Sequence, residues 1–352
     1  IGKTNTPEFG AGSQTFNEVF GATPTPWNIN YTAGGSSGGT AAALATGAAW
    51  LGTGSDLGGS LRNPASFCGV VGLRPTIGTV AHGPQDLPFN DLSVDGPMAR
   101  NVEDLAILLN TMSGFDPRDP LSVEKAEKNF EESILQEKTN LNIGITDDYG
   151  LLSCHPEVRE AINTAEKALI NMGHKVSRTC PDLSNAEETF QILRAHLFAT
   201  GKKALYEANK ENLKEDLKLN IERGFNLSLN EIMNAQLQRG KIIDNTNNFF
   251  KDFDILVAPS SMVPPFNIKE YWPKKVENSS FDNYVGWLMT AAIISLTGCP
   301  ALAVPCTTND AGLPIGIQII GNRHNENLIL NLGHYFQKFT KNYNITPINP
   351  IK

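Results

Sequence analysis

GGSSGGTAAALATGAAWLGTGSDLGGSLRNPASFCGVVGLRPT, residues 34–76, is the stretch around which the chain is organised. It holds two glycine-flanked serine clusters, Gly34-Gly35-Ser36-Ser37-Gly38-Gly39 and Asp56-Leu57-Gly58-Gly59-Ser60. Between them Thr40 to Trp50 is rich in alanine, with good helix propensity and little bulk. Glycine is favoured where backbone takes unusual dihedrals or approaches another atom closely. Glycines crowded around a serine therefore suggest main-chain N–H groups aimed at something beside the hydroxyl. A hydroxyl nucleophile needs such donors to hold an oxyanion. On composition alone, two flexible loops around a small-residue helix are an equal reading.

The stretch resembles the amidase signature family almost continuously from Gly34 to Thr76. The likeness covers both clusters, their spacing, and the phrases Ser66-Phe67-Cys68-Gly69 and Gly72-Leu73-Arg74-Pro75-Thr76 that follow. The resemblance implies that Ser60 is the nucleophile and that Ser36, preceded by a cis peptide bond, relays its proton. It implies an oxyanion hole from the N–H groups of Leu57, Gly58, Gly59 and Ser60. Ser37 and Ser55 are implied as hydrogen-bonding supports, and Asp56 and Arg62 as structural supports beneath the loop. Further family phrases stand at Leu296-Thr297-Gly298-Cys299-Pro300-Ala301 and Gly312-Leu313-Pro314-Ile315-Gly316-Ile317-Gln318, so the likeness spans nearly the whole chain. Residues 120–250 match weakly; in the family this region shapes the acyl pocket.

Three rival motifs fail on paper. Gly34-Gly35-Ser36-Ser37-Gly38 satisfies G-x-S-x-G, but a nucleophile elbow follows a core strand, and Pro26-Trp27-Asn28-Ile29-Asn30-Tyr31 is a poor one. The elbow also needs a late histidine, and His324 and His334 sit at the start and inside of the last helical segment. In Gly52-Thr53-Gly54 the third glycine of a dinucleotide loop comes one place late, at Gly58. Gly39-Thr40 lacks the lysine of a phosphate loop.

The 352 residues, 40% hydrophobic and 19% charged, suit one large globular domain or two ordinary ones; with no repeat or low-complexity linker, a single amidase domain is expected. A net charge of −8 and the absence of any basic run of five disfavour a nucleic-acid partner. Cys68, Cys154, Cys180, Cys299 and Cys306 form no C-x-x-C pair, which suggests reduced thiols, a cytoplasmic setting and no structural zinc. The uncharged run Gly286 to Val304 is broken by Gly298 and Pro300, so it reads as a buried helix then a buried strand, with no membrane span.

Ile1 to Phe9 reads as a strand end and turn, and residues 10–33 and 77–100 as irregular. Asn101 offers an N-cap before Leu105, Leu108, Leu109 and Met112 at helical spacing, with Gly114 as the stop. Leu141 to Thr146, a helix from Pro156 to Gly173, and Lys175 to Arg178 make a strand–helix–strand unit, which implies parallel pairing. Residues 186–251 read as mostly helical. Asp254 to Ala258, Ala301 to Val304 and Ile315 to Ile320 read as strands, and Asn325 as the cap of a last helix. Alternating elements indicate an α/β fold, a mixed central sheet covered by helices on both faces.

The expected activity is hydrolysis of a carboxylic amide through an acyl-enzyme, with a small-molecule amide as partner and no metal or cofactor; a homodimer is compatible with it. Phe89, Trp272, Trp287 and Cys299 are candidates for an apolar acyl pocket, though ordinary core is the stronger reading for each. Within the family a stand-alone amidase acting on a linear amide is the first reading. The alternative is the glutaminase subunit of a tRNA-dependent amidotransferase, which hands ammonia to a partner subunit. Leu92-Ser93-Val94-Asp95, where that subunit has Ser-Leu-Asp-Gln, and Ile221-Glu222-Arg223-Gly224-Phe225 in place of its arginine-rich phrase count against it. A non-catalytic binder finds no support, since both clusters are complete. The family's base is a lysine in a Lys-Asp phrase upstream of the Gly-Lys-Thr-Asn phrase, which here is Gly2-Lys3-Thr4-Asn5. These residues are therefore expected to hold nucleophile, relay and oxyanion hole, with the base and an N-terminal segment lying before Ile1.

Overall fold

In the computed structural model, which describes residues 1–125 and 129–342, one mixed eight-stranded sheet organises the chain. In chain order its strands are β1 (Leu51–Asp56), β2 (Val71–Arg74), β3 (Val94–Ala99), β4 (Asn142–Ile145), β5 (Lys175–Arg178), β6 (Ile255–Pro259), β7 (Ala301–Thr308) and β8 (Pro314–Gly321). Side by side they run β1-β3-β2-β7-β8-β6-β4-β5. The pairs β6–β4 and β4–β5 are parallel, and every other pair in the sheet is antiparallel.

The helices are α1 (Gly38–Ala45), α2 (Arg62–Cys68), α3 (Val102–Met112), α4 (Pro156–Asn171), α5 (Ala186–Asn209), α6 (Glu215–Phe225), α7 (Leu229–Asp252), α8 (Met289–Thr297) and α9 (Glu326–Thr340). Successive strand residues point to opposite faces, and each face needs an apolar cover. Ile255 and Val257 of β6 pack in one core with Leu105 and Leu109 of α3, Ile162 of α4 and Ile329 of α9. Leu256 and Ala258 pack in the other with Phe190 of α5, Ile242 of α7 and Ile293 of α8. The sheet is thus covered on both sides, as its alternating pattern implied.

Asn101 caps α3 by accepting from the Asp104 N–H at 2.8 Å, and Gly114 follows the helix with φ +138°. β4, α4 and β5 form the parallel unit, and Gly173, at φ +88°, ends the turn after α4. Gly286 to Val304 is a short 3-10 turn, helix α8 and the start of β7. No helix among the described residues is long and apolar enough to cross a membrane.

The structure departs from the sequence expectations at four places. Residues 1–7 form no strand, and Glu8–Gly10 is a single 3-10 turn. Residues 16–32 are not wholly irregular, because they hold two small antiparallel hairpins. Residues 77–100 contain β3, an inner strand whose pattern is obscured by Gly96 and Pro97. Asn325 stands at the start of α9 without a side-chain cap.

Candidate active site

The two serine clusters meet at the β1 edge of the sheet. Helix α1 follows Ser37 and returns the chain into β1, which pairs over six residues with β3 and delivers Asp56 to the start of the second cluster. The Ser37 N–H donates to the Ser60 carbonyl at 3.2 Å, which fastens one cluster to the other. The Ser37 hydroxyl donates to the Ser55 carbonyl at 3.4 Å, so Ser55 enters this network through its backbone. The first cluster is gripped from the N-terminal side. Thr15 Oγ1 donates to the Gly34 carbonyl at 2.8 Å and accepts from the Gly38 N–H at 3.1 Å. The Gly35–Ser36 peptide bond is cis.

Beneath the second cluster lies a buried ion network. Asp56 and Arg62 are wholly buried and paired in a fork, Nε to Oδ2 at 3.0 Å and Nη2 to Oδ1 at 2.9 Å. Asp56 also accepts from the backbone N–H groups of Gly59 at 2.9 Å and Leu61 at 3.1 Å. Arg74 adds a contact at 3.4 Å and donates to the Asp56 carbonyl as well. Burial pushes the Asp56 carboxyl up, but Arg62, Arg74 and the Gly59 N–H outweigh it and hold the pKa at about 2. Arg62 also donates to the Ala291 carbonyl and to Gln318 Oε1, each at 2.8 Å, and to Ser295 Oγ at 3.1 Å. The carboxylate therefore shapes the loop, and buried this way it is no proton carrier at neutral pH.

Ser36, Leu57, Gly58 and Ser60 line one cavity of about 110 Å³, together with Phe190, Phe198 and Leu288. Ser36 is 4% exposed, and Ser60 is half-buried at the cavity wall. Of the expected donor set, the Gly59 N–H is taken by Asp56, while Leu57, Gly58 and Ser60 are among the residues lining the cavity. Ser36 also borders a second, polar trough of about 600 Å³ lined by Thr4, Thr40, Thr53 and Asp95. No lysine among the described residues is hydrogen-bonded to Ser36. Lys214, whose pKa burial lowers, instead meets Asp216 at 3.2 Å and the Ala11 carbonyl at 3.4 Å.

None of the four apolar candidates lines this cavity, and for two of them the core reading holds. Trp287 is core, stacked on Phe67 and donating to Ser13 Oγ at 3.0 Å, and Cys299 is core as well. Phe89 is largely exposed and borders a different cavity, and Trp272 borders a surface trough. Phe190, Phe198, Tyr284 and Arg194 take their place. The one signal for them in the sequence is a lone arginine within the apolar run Phe190-Gln191-Ile192-Leu193-Arg194. Gln318 is a polar residue inside an apolar strand, and its contact with Arg62 is visible only in the fold.

Residues 1–330 match the family model described as Amidase. A glutamyl-tRNA(Gln) amidotransferase subunit of Thermodesulfovibrio yellowstonii is 34% identical, over 99% of this chain and 76% of that relative. Among solved structures, a bacterial aryl acylamidase of the amidase signature family superposes with a TM-score of 0.91 at 29% identity, covering 99% of this chain and 75% of that one. The corresponding glutamyl-tRNA(Gln) amidotransferase subunit of Thermotoga maritima superposes with a TM-score of 0.77 at 30% identity, over 99% and 75%. With a family model matched over residues 1–330 and a relative 34% identical over 99% of its length, the chain belongs to the amidase signature family.

Proposed function

We propose that the chain cleaves a carboxylic amide through an acyl-enzyme on Ser60. The observation that carries this is the shared cavity of Ser60, Ser36 and the Leu57–Gly58 backbone, with Asp56 fixing the loop from below. Ser60 Oγ attacks the carbonyl carbon and its proton passes to Ser36. The oxyanion is met by backbone N–H groups from Leu57, Gly58 and Ser60, the Gly59 N–H being held by Asp56. Inside a closed site such donors are worth far more than in bulk water. The C–N bond breaks, the amine or ammonia leaves with a proton, and water then frees the acid. The polar trough on the far side of Ser36 gives a base room to reach its hydroxyl.

Of the two family settings, the amidotransferase glutaminase stands ahead of the stand-alone amidase, because a relative above 30% identity over nearly the whole chain bears that name. The altered phrases at residues 92–95 and 221–225 remain departures from it, and the structural likeness to an aryl acylamidase supports the linear-amide reading.

Fluorophosphonate labelling of the full-length protein, followed by intact mass, tests the nucleophile. One adduct is expected on the native protein, none on Ser60→Ala and slow labelling on Ser36→Ala. An adduct on Ser60→Ala at the native rate overturns the assignment. Glutamine turnover that rises on adding a co-purifying protein selects the glutaminase; turnover of a simple aryl or alkyl amide without one selects the amidase.

A further inference from the structure

Helix α7 turns an apolar stripe to solvent. Leu229, Met233 and Leu237 recur every four residues on one face and are 71%, 52% and 65% exposed. A surface helix normally presents charge outward and keeps its apolar residues for the core. Here the core side is filled separately, by Ala235 and Ile242 and by Arg239, which pairs with Asp91. The one exposed charge between Leu229 and Gly240 is Glu231, and it is turned back onto Ser228 in the capping box. Gly240 stands on the same face as the stripe, in ordinary helical conformation, and a Cβ there would meet nothing within 4 Å. Glycine weakens a helix interior, and nothing within the chain requires one at this position. A second helix approaching closely does.

The face is complementary to itself. In an antiparallel pair whose axis passes midway between Met233 and Leu237, Met233 of one copy meets Leu237 of the other. Leu229 then lies against the gap at Gly240 of the second copy. Asn234 and Gln236, nearest the axis, are uncharged, so no charge meets its own copy there, a condition particular to a two-fold contact. Asp244, exposed further along the face, reaches the N-terminal end of α7 in the second copy, the positive end of its dipole. A lipid surface fits less well, since helices that lie on membranes are rich in Lys and Arg beside the apolar face. Only Lys241 stands beside this one, in a chain of net charge −8. Apolar surface continues past the helix, because Gln236 also lines a cavity of about 330 Å³ with Leu193, Leu197 and the exposed Phe89. We infer that the α7 face is the contact between two copies of this chain, packed antiparallel about a two-fold axis between Met233 and Leu237.

Sedimentation velocity on the full-length protein tests this. A contact of this size is expected to give a dimer that forms between about 1 and 100 µM. Leu237→Asp, a change at an exposed position, is expected to raise the dissociation constant about 10-fold or more without lowering the melting temperature of the dilute protein. Gly240→Leu has a sharper signature. The single chain has room for it and the helix is strengthened, so the melting temperature holds or rises while the dimer is lost. A mixture of Leu229→Cys and Gly240→Cys proteins is expected to cross-link on mild oxidation well above either protein alone. A native protein that stays monomeric at about 100 µM overturns the proposal, and binding of that monomer to neutral-lipid vesicles would give the face to a membrane. A dimer untouched by both Leu237→Asp and Gly240→Leu overturns it as well, by placing the contact elsewhere. Cross-linking of Leu229→Cys alone at the level of the mixture overturns the antiparallel packing.

Discussion

Asp56 is held by two arginines and two backbone N–H groups with no exposure to solvent, so its removal strands positive charge in the interior. Taking away one partner of a buried ion pair costs about 3–5 kcal/mol, mostly from the uncompensated charge. Asp56→Asn is expected to lower stability by that order in chemical denaturation and to slow labelling at Ser60, since the Gly59 and Leu61 N–H groups lose their charged acceptor. The same group sets an acid limb. Its folded pKa of about 2 lies below the usual 3.8, so its stabilisation is complete above about pH 4 and is lost as pH falls through 2. The native protein should lose about 2 kcal/mol across that window from this group, and Asp56→Asn should flatten the slope there. An unchanged acid limb in the variant would move the titration to another carboxylate.

At the scale of elements, the second cluster is a loop wedged between α2 and α8. Gly59 has φ +113°, and a Cβ there would stand 2.6 Å from the Ala291 Cβ and 2.8 Å from Asn63 Nδ2. The Ala291 Cβ cannot yield without moving its helix, and the Asn63 amide, although a side-chain end, is wholly buried. Gly59→Ala combines backbone strain with overpacking, about 2–5 kcal/mol together. A large fall in melting temperature and loss of labelling even in the folded fraction are expected; a fully stable, labelled variant would refute this packing. Glycine explains the unevenness of what the sequence revealed. Helices α3 and α4 announce themselves through caps and 3.6-residue spacing, and the three C-terminal strands through apolar runs. Strand β1, Leu-Gly-Thr-Gly-Ser-Asp, carries no such run. Its glycines are needed because Thr40 and Ser37 press on positions 52 and 54, and its extended form comes from six-residue pairing with β3, a partner well along the chain. That Ser36 and Ser60 share a cavity with Asp56 beneath was legible, because all three stand in one contiguous phrase. Arg194 and Tyr284 were not, because only the fold brings α5 and residue 284 to the same cavity wall.

For the whole molecule, the Asp56–Ser60 loop is held by elements far along the chain. Gln318 of β8, fully buried, accepts from Arg62 at 2.8 Å through its carbonyl. Its amide nitrogen donates to the Tyr149 hydroxyl at 3.0 Å and to the carbonyls of Pro259 at 2.9 Å and Thr290 at 2.8 Å. One side chain thus ties β6, α8, the turn after β4 and the arginine under Ser60. Glu326 of α9 makes a parallel tie, accepting from the Thr76 N–H at 2.7 Å at the end of the glycine–serine stretch. Gln318→Met keeps the volume and removes the side-chain bonds of Gln318, so the Tyr149 hydroxyl and the Arg62 fork each lose one partner. Buried polar groups left unmet cost about 1–3 kcal/mol each, and coupled ones do not add simply, so a net loss of about 2–4 kcal/mol is expected. Because Arg62 keeps Asp56 and the Ala291 carbonyl, the fold should survive while the loop loosens. Fluorophosphonate labelling of Gln318→Met should then be several-fold slower at a temperature where the protein is still fully folded. Labelling at the native rate with a lowered melting temperature would show that the C-terminal strand stabilises the sheet without setting the geometry at Ser60.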